Sequence, residues 1–95
     1  MPINIIDCTN LTEKETGIRL ENLCADDWEM PSQIKTLEKW LLQKGVNLPV
    51  GSYVADIGFS PREGALGGGA ILTTASMKIM VDIGMELYLS EYPNF

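Results

Sequence analysis

Tyr53-Val54-Ala55-Asp56-Ile57-Gly58-Phe59, then Ser60-Pro61-Arg62-Glu63-Gly64-Ala65-Leu66-Gly67-Gly68-Gly69-Ala70, then Met85-Glu86-Leu87-Tyr88-Leu89-Ser90-Glu91-Tyr92 decide how this chain folds. In the first stretch Tyr53, Ala55, Ile57 and Phe59 point one way while Val54, Asp56 and Gly58 point the other, which predicts a strand over 52–59. The last stretch alternates too and predicts a strand burying Met85, Leu87 and Leu89, stopped by Pro93. Between them Thr73 or Thr74 is placed to cap a helix running to about Ile83, with Met77, Met80, Val81 and Ile71 turned inward. Gly84 sits where a left-handed residue closes such a helix. The glycines of the central loop lose more backbone entropy on folding than other residues would. They imply unusual dihedrals, close backbone approach or mobility there.

Working back toward the N-terminus, Ser32 to Lys44 reads as an amphipathic helix. Ile34, Leu37, Trp40 and Leu41 form its apolar stripe, and Lys35, Glu38 and Lys39 form its outer face. Ser32 is its expected N-cap, Gly45 its expected left-handed terminator, and Pro49 prevents its resumption. Ile3 to Cys8 is rich in β-branched residues and predicts a strand. Gly17 to Cys24 alternates with Ile18 and Leu20 on one face and Arg19 and Glu21 on the other. That pattern favours a strand over the competing short helix at 12–22, which Gly17 would interrupt. Residues 9–17 read as loop or a frayed turn of helix, and 25–31 as a connector.

The order is therefore β-β-α-β-α-β, one α+β domain over residues 1–95. A four-stranded mixed sheet with two helices packed on one face buries both helical stripes in a single core. The strands on either side of the second helix are expected to be parallel.

A chain of 95 residues, 45% of them hydrophobic, belongs with folded globular domains. The absence of a basic start or a long apolar run argues against a signal peptide or a membrane span, and sets the expectation of a cytoplasmic protein without a membrane partner. Two cysteines, Cys8 and Cys24, are expected to be reduced, because a hairpin of the first two strands would hold them at opposite ends. Net charge is −6. Residues 1–31 hold seven acids (Asp7, Glu13, Glu15, Glu21, Asp26, Asp27, Glu29) against Lys14 and Arg19, a balance of −5, whereas the remainder is near neutral. An acidic N-terminal third argues against nucleic acid and suits a basic protein partner, or serves only as a solvated face.

Candidate site residues are few. Histidine is absent, no nucleophile stands beside a base, and no metal-ligand spacing appears. No metal and no cofactor is expected. The loop 60–70 precedes a helix N-terminus, so Gly67, Gly68 and Gly69 with Arg62 and Glu63 could cradle an anion, lie at an interface, or simply turn the chain. Its spacing fits neither the dinucleotide fingerprint nor the P-loop. Asp56 stands mid-strand and could pair with Arg62 or Arg19, work beside Glu63, or face solvent. Trp28, following Asp26 and Asp27, either closes one end of the core or anchors a partner.

The arrangement of Tyr53 to Phe59, Gly67-Gly68-Gly69-Ala70-Ile71-Leu72, Met77 to Ile83, and Gly84 to Pro93 with its closing Tyr92-Pro93 resembles a known group. It is similar to the C-terminal half of small bacterial α+β domains of unknown function carried on mobile gene cassettes, the integron cassette proteins. Some of these resemble immunity proteins. The resemblance covers under half the chain, implies a bacterial mobile-element origin, and transfers no catalytic residue.

Two functions are carried forward. The first is a non-enzymatic protein-interaction module, immunity-like, whose acidic surface meets a basic partner. The second is a small-molecule-binding domain or minor enzyme with its pocket at the loop 60–70. A homodimer is expected through the last strand or the Met-rich helix, because an edge strand templates pairing and a small domain gains by burying apolar surface.

Overall fold

β-Branched and aromatic residues mark the strand segments Ile3–Asp7 and Tyr53–Phe59, while apolar–polar alternation marks Ile18–Leu23 and Met85–Glu91. The computed structural model describes residues 1–10 and 17–93. Its elements are β1 (Ile3–Asp7), β2 (Ile18–Leu23), α1 (Met30–Gln43), a 3-10 turn at Gly45–Asn47, β3 (Tyr53–Phe59), α2 (Thr74–Ile83) and β4 (Met85–Glu91). The strands form one four-stranded sheet in the order β2-β1-β3-β4. β1 is antiparallel to both its neighbours, while β4 runs parallel to β3, so the sheet is mixed. The expected α+β fold and element order are those observed.

The core lies between the sheet and the helices. Ile3, Ile5, Tyr53, Ala55, Ile57 and Met85 from the sheet meet Ile34, Leu37, Trp40 and Leu41 of α1 and Met80 and Ile83 of α2. The Cα envelope measures 42 × 31 × 18 Å, and the short dimension suits two layers, a sheet under one layer of helices. The opposite sheet face carries a polar row in register across the strands: Asn22, Asn4, Asp56 and Tyr88.

Several local expectations are corrected. α1 begins at Met30 with Pro31 in its first turn, a position where a missing N–H loses nothing. Ser32 therefore lies inside the helix, and its hydroxyl donates to Asp27 Oδ2 at 2.6 Å. Gly45 does not take the left-handed conformation. It is buried against α1, where a Cβ would crowd Leu41 and Trp40 at 3.0 and 3.1 Å. In α2, Met80 and Ile83 turn inward, whereas Met77 and Val81 are 43% and 78% exposed. The inward stripe is set by Ser76, a buried polar residue that the apolar pattern passed over. Ile71 precedes the helix and is exposed, as is Leu89 toward the end of β4.

In β2 the register shifts: Glu21 sits opposite Ile5 but Arg19 opposite Ile6, which leaves Leu20 without a counterpart. The simple alternation of Ile18 and Leu20 against Arg19 and Glu21 is broken there. Glu21 reaches the helix side of the sheet and pairs with Lys44 at 2.7 Å. Of the loop expected over 9–17 and the helix alternative over 12–22, residues 11–16 lie outside the described residues, and 18–23 are strand.

Two features placed from sequence do hold. Thr73 caps α2, its hydroxyl accepting from the Ser76 N–H at 3.2 Å. Gly84 closes α2 at φ 85°, with its N–H donating to Met80 O at 2.9 Å. Cys8 and Cys24 are unpaired thiols at opposite ends of the β1–β2 hairpin. Burial, with the Asp27 carboxylate as a smaller contribution, holds the Cys24 thiol above its ordinary pKa, so it stays a protonated, weakly nucleophilic group. Among the described residues no helix is long and apolar enough to cross a membrane.

Candidate functional site

The glycine-rich loop connects the end of β3 to α2, and residues 61–70 are all exposed. Gly67, Gly68 and Gly69 adopt φ of 129°, 74° and 129°, a region where a side chain is strained. Three such dihedrals in succession explain the glycine run as backbone geometry. Across the loop, Arg62 Nη2 donates to the Gly67 carbonyl at 2.7 Å, so this cation braces the loop from within.

The N-terminus of α2, where an anion would dock, already holds a carboxylate. Glu38 of α1 extends its Oε2 to the Thr73 N–H at 2.9 Å, the Thr73 hydroxyl at 2.7 Å and the Ser76 hydroxyl at 2.6 Å. The positive end of the helix dipole and its unsatisfied N–H groups attract negative charge, and here the fold itself supplies it. The Ser76 hydroxyl, then the backbone and side chain of Thr73, hold the Glu38 carboxyl below its ordinary pKa.

The remaining sequence candidates separate into distinct places. Trp28, Glu29, Ser60, Pro61, Arg62 and Glu63 line one open cleft of about 470 Å³. Trp28 is half-buried there and packs edge-on against Tyr92, ring centroids 5.6 Å apart at 79°. Gly69 lines a second cleft of about 410 Å³ with Glu38, Lys35 and Ile71. Asp56 belongs to neither. It sits in the polar row on the helix-free sheet face and accepts from the Ser90 hydroxyl at 2.9 Å. Among the described residues the ion pairs are Lys44–Glu21 and Lys78–Asp82, and neither uses Asp56 or Arg62.

The acidic residues also divide. Asp27 Oδ1 accepts from the Glu29 N–H at 3.0 Å and its Oδ2 from Ser32, so it organises the start of α1. Asp7 accepts from the Thr9 N–H at 2.9 Å, and the Thr9 side chain first, then its backbone, hold the Asp7 carboxyl below its usual pKa. Asp26 and Glu29 are exposed on either side of this connector. Glu13 and Glu15 lie outside the described residues.

Sequence reasoning missed Glu38, which it placed only on the outer face of α1. It also missed Gln33, which is fully buried and donates Nε2 to Asp27 O at 2.6 Å and Gly58 O at 2.7 Å. A polar residue beside Ile34 in an otherwise apolar arc was the available signal. Among the described residues no group of three or more His, Cys, Asp or Glu is placed to hold a metal ion.

Exposed apolar side chains are spread over the surface, at Ile18 of β2, Val50, Leu66, Ile71 and Val81 of α2 as well as at the β4 edge of the sheet. Tyr88 and Leu89 of β4 are 50% and 55% exposed, and β4 has a neighbour on one side only. Comparison with protein-family models, with curated proteins and with solved structures finds no match to the chain.

Proposed function

We propose that the protein is a non-enzymatic interaction module whose contact element is the edge strand β4, engaged by a protein partner through strand addition. The observation that carries this reading is a seven-residue strand in unbroken register with β3 whose outer side is unpaired. Supporting it, the polar side chains that might have done chemistry serve the fold: Asp56 holds Ser90, Arg62 braces Gly67, Asp27 organises α1 and Glu38 caps α2. The surplus of acid, with Glu86 and Glu91 exposed on β4 and Asp26 and Glu29 beside Trp28, favours a basic partner, as in an immunity-like protein.

Capture from a bacterial cytoplasmic extract at low and high salt tests this, with Leu89→Pro as the comparison. The expected partner binds at low salt, is released as salt screens the contact, and is lost with the variant. Absence of any salt-sensitive, β4-dependent partner sinks the basic-partner reading.

The cleft between Trp28 and Arg62 favours a second reading, a small-molecule site with an aromatic wall and a cation. A thermal-shift screen of metabolites and nucleotides decides it, since a ligand of the native state raises Tm. A shift that survives Arg62→Ala places the ligand elsewhere.

A further inference from the structure

The hydrogen bonds at the two ends of β4 establish which of its residues face outward. The Gly84 carbonyl accepts from the Tyr53 N–H at 2.9 Å, and the Tyr92 N–H donates to the Phe59 carbonyl at 2.8 Å. Along a strand, alternate residues direct both backbone groups to the same side. Glu86, Tyr88 and Ser90 therefore bond toward β3. Met85, Leu87, Leu89 and Glu91 direct their N–H and C=O groups away from the sheet, where the strand order ends.

The two edges of this sheet are not equivalent. β2 carries a register shift at Leu20, a device that discourages edge pairing. β4 pairs with β3 over its whole length without a shift, and Met85 to Glu91 contains no proline and no lysine. Its apolar side chains are only partly covered: Leu87 packs on the margin of the core, and Leu89 is 55% exposed.

We propose that β4 pairs antiparallel with β4 of a second copy of this chain, about a two-fold axis through Tyr88, joining two sheets into one. The proposal rests on the reading of β4 as the contact element and gives that element a second copy of the chain as its occupant. In this register Leu87 faces Leu89 of the second copy and Met85 faces Glu91. These are the residues whose backbone groups are free, and about eight new hydrogen bonds form. On the helix side, the two leucine pairs cover each other across the axis. On the other side, Tyr88 meets its own copy, and Glu86 meets Ser90, so no carboxylate is set opposite another. Moving the axis to Leu89 would set Leu87 against Glu91, and moving it to Leu87 would run Glu91 past the start of the facing strand. The register at Tyr88 alone uses every residue of β4.

Each copy carries a net charge of −6, so the two repel at long range and salt tightens their association. A basic partner responds to salt in the opposite sense. One strand pair buries little area, at the small end of the interface range below about 1,200 Å², so the dimer forms only at raised concentration.

The test is light scattering of the full chain from low-micromolar to near-millimolar concentration, at low and high salt. The mass should climb from 10.5 kDa toward twice that value, and more readily in salt. Leu89→Pro removes an outward N–H while sparing those bonded to β3, and should hold the mass at 10.5 kDa with unchanged far-ultraviolet dichroism. A second measurement covers the case in which that variant fails to fold. In a Cys8→Ser, Cys24→Ser background, Tyr88→Cys should form a covalent dimer on mild oxidation. Directly opposed, non-hydrogen-bonded residues lie about 4.5 Å apart at Cα, within disulfide reach. Glu86→Cys, displaced from its own copy along the strand, should not. A wild-type mass fixed at 10.5 kDa throughout overturns the proposal, as does equal cross-linking at 86 and 88. A monomer that still captures a foreign protein through β4 refutes self-pairing and leaves the interaction reading standing. A dimer without any such capture does the reverse for the basic partner.

Discussion

Glu38 on α1 and Ser76 on α2 meet at 2.6 Å, across a sequence separation of 38 positions. The same carboxylate oxygen accepts from Thr73, so one side chain fastens the two helices and caps the second. Glu38→Gln keeps the shape but loses the charge that three donors address. It is expected to lower stability by about 1–2 kcal/mol at neutral pH, read from chemical denaturation.

The same site gives a pH dependence with a definite sign. The Glu38 carboxyl titrates below its ordinary value of 4.5 in the folded protein, with the Ser76 hydroxyl as the largest cause. A depressed acid stabilises the fold at pH above its unfolded value, and that contribution disappears as pH falls through the folded value. Asp7, held low by Thr9, acts in the same direction. The Tm gap between wild type and Glu38→Gln should therefore be full at neutral pH and close progressively below pH 4.5. A gap that persists unchanged in acid would remove the charge from the explanation.

Gln33→Met should be the more damaging change in α1. The amide satisfies two carbonyls, of Asp27 and Gly58, that join the connector before α1 to the end of β3. An apolar replacement of similar size leaves both without this donor, at a cost of about 1–3 kcal/mol in urea unfolding.

Gly84 combines a φ of 85° with an approach so close that a Cβ would collide with the Gly51 carbonyl. Neither atom set is a flexible side chain, so the backbone itself must move. Gly84→Ala is expected to cost at least about 1–3 kcal/mol, seen as a lower Tm, through both strain and the clash. Gly64→Ala meets nothing within 4 Å and should cost less.

Lys44→Ala, by contrast, should change little. The pair with Glu21 is short at 2.7 Å, but the lysine side chain is 63% exposed and salt screens it. A loss of about 0.5 kcal/mol or less is expected in a denaturant titration, and a larger one would give this contact a role beyond its charge.

Much of the fold was legible because periodicity reports burial. Tyr53, Ala55 and Ile57 alternate into the core, and Ile34, Leu37 and Leu41 return at helical spacing. What periodicity does not report is a polar group whose partner lies far along the chain. Glu38 reads as one more charge on an outer helical face until α2 arrives beside it. Ser32 has the chemistry of a cap, but Asp27 and Pro31 move the helix start ahead of it. The β2 alternation failed because a residue-long register shift is decided by the neighbouring strand and not by β2 itself. For the site, sequence located the loop and the exposed strand but not their relation. It could not foresee that the anion seat at α2 is filled from α1, or that Asp56 lines neither of the clefts bordered by the loop.

The alternating backbone of β4 also writes a pattern into isotope exchange. β3 has strands on both sides in unbroken register, so its amides are held in ladders all along. In dilute protein, deuterium should enter β4 at every second amide: quickly at 85, 87, 89 and 91, and slowly at 86, 88 and 90. Residue-resolved exchange would show this strand as a comb, with its teeth already aligned for whatever chain comes to lie beside it.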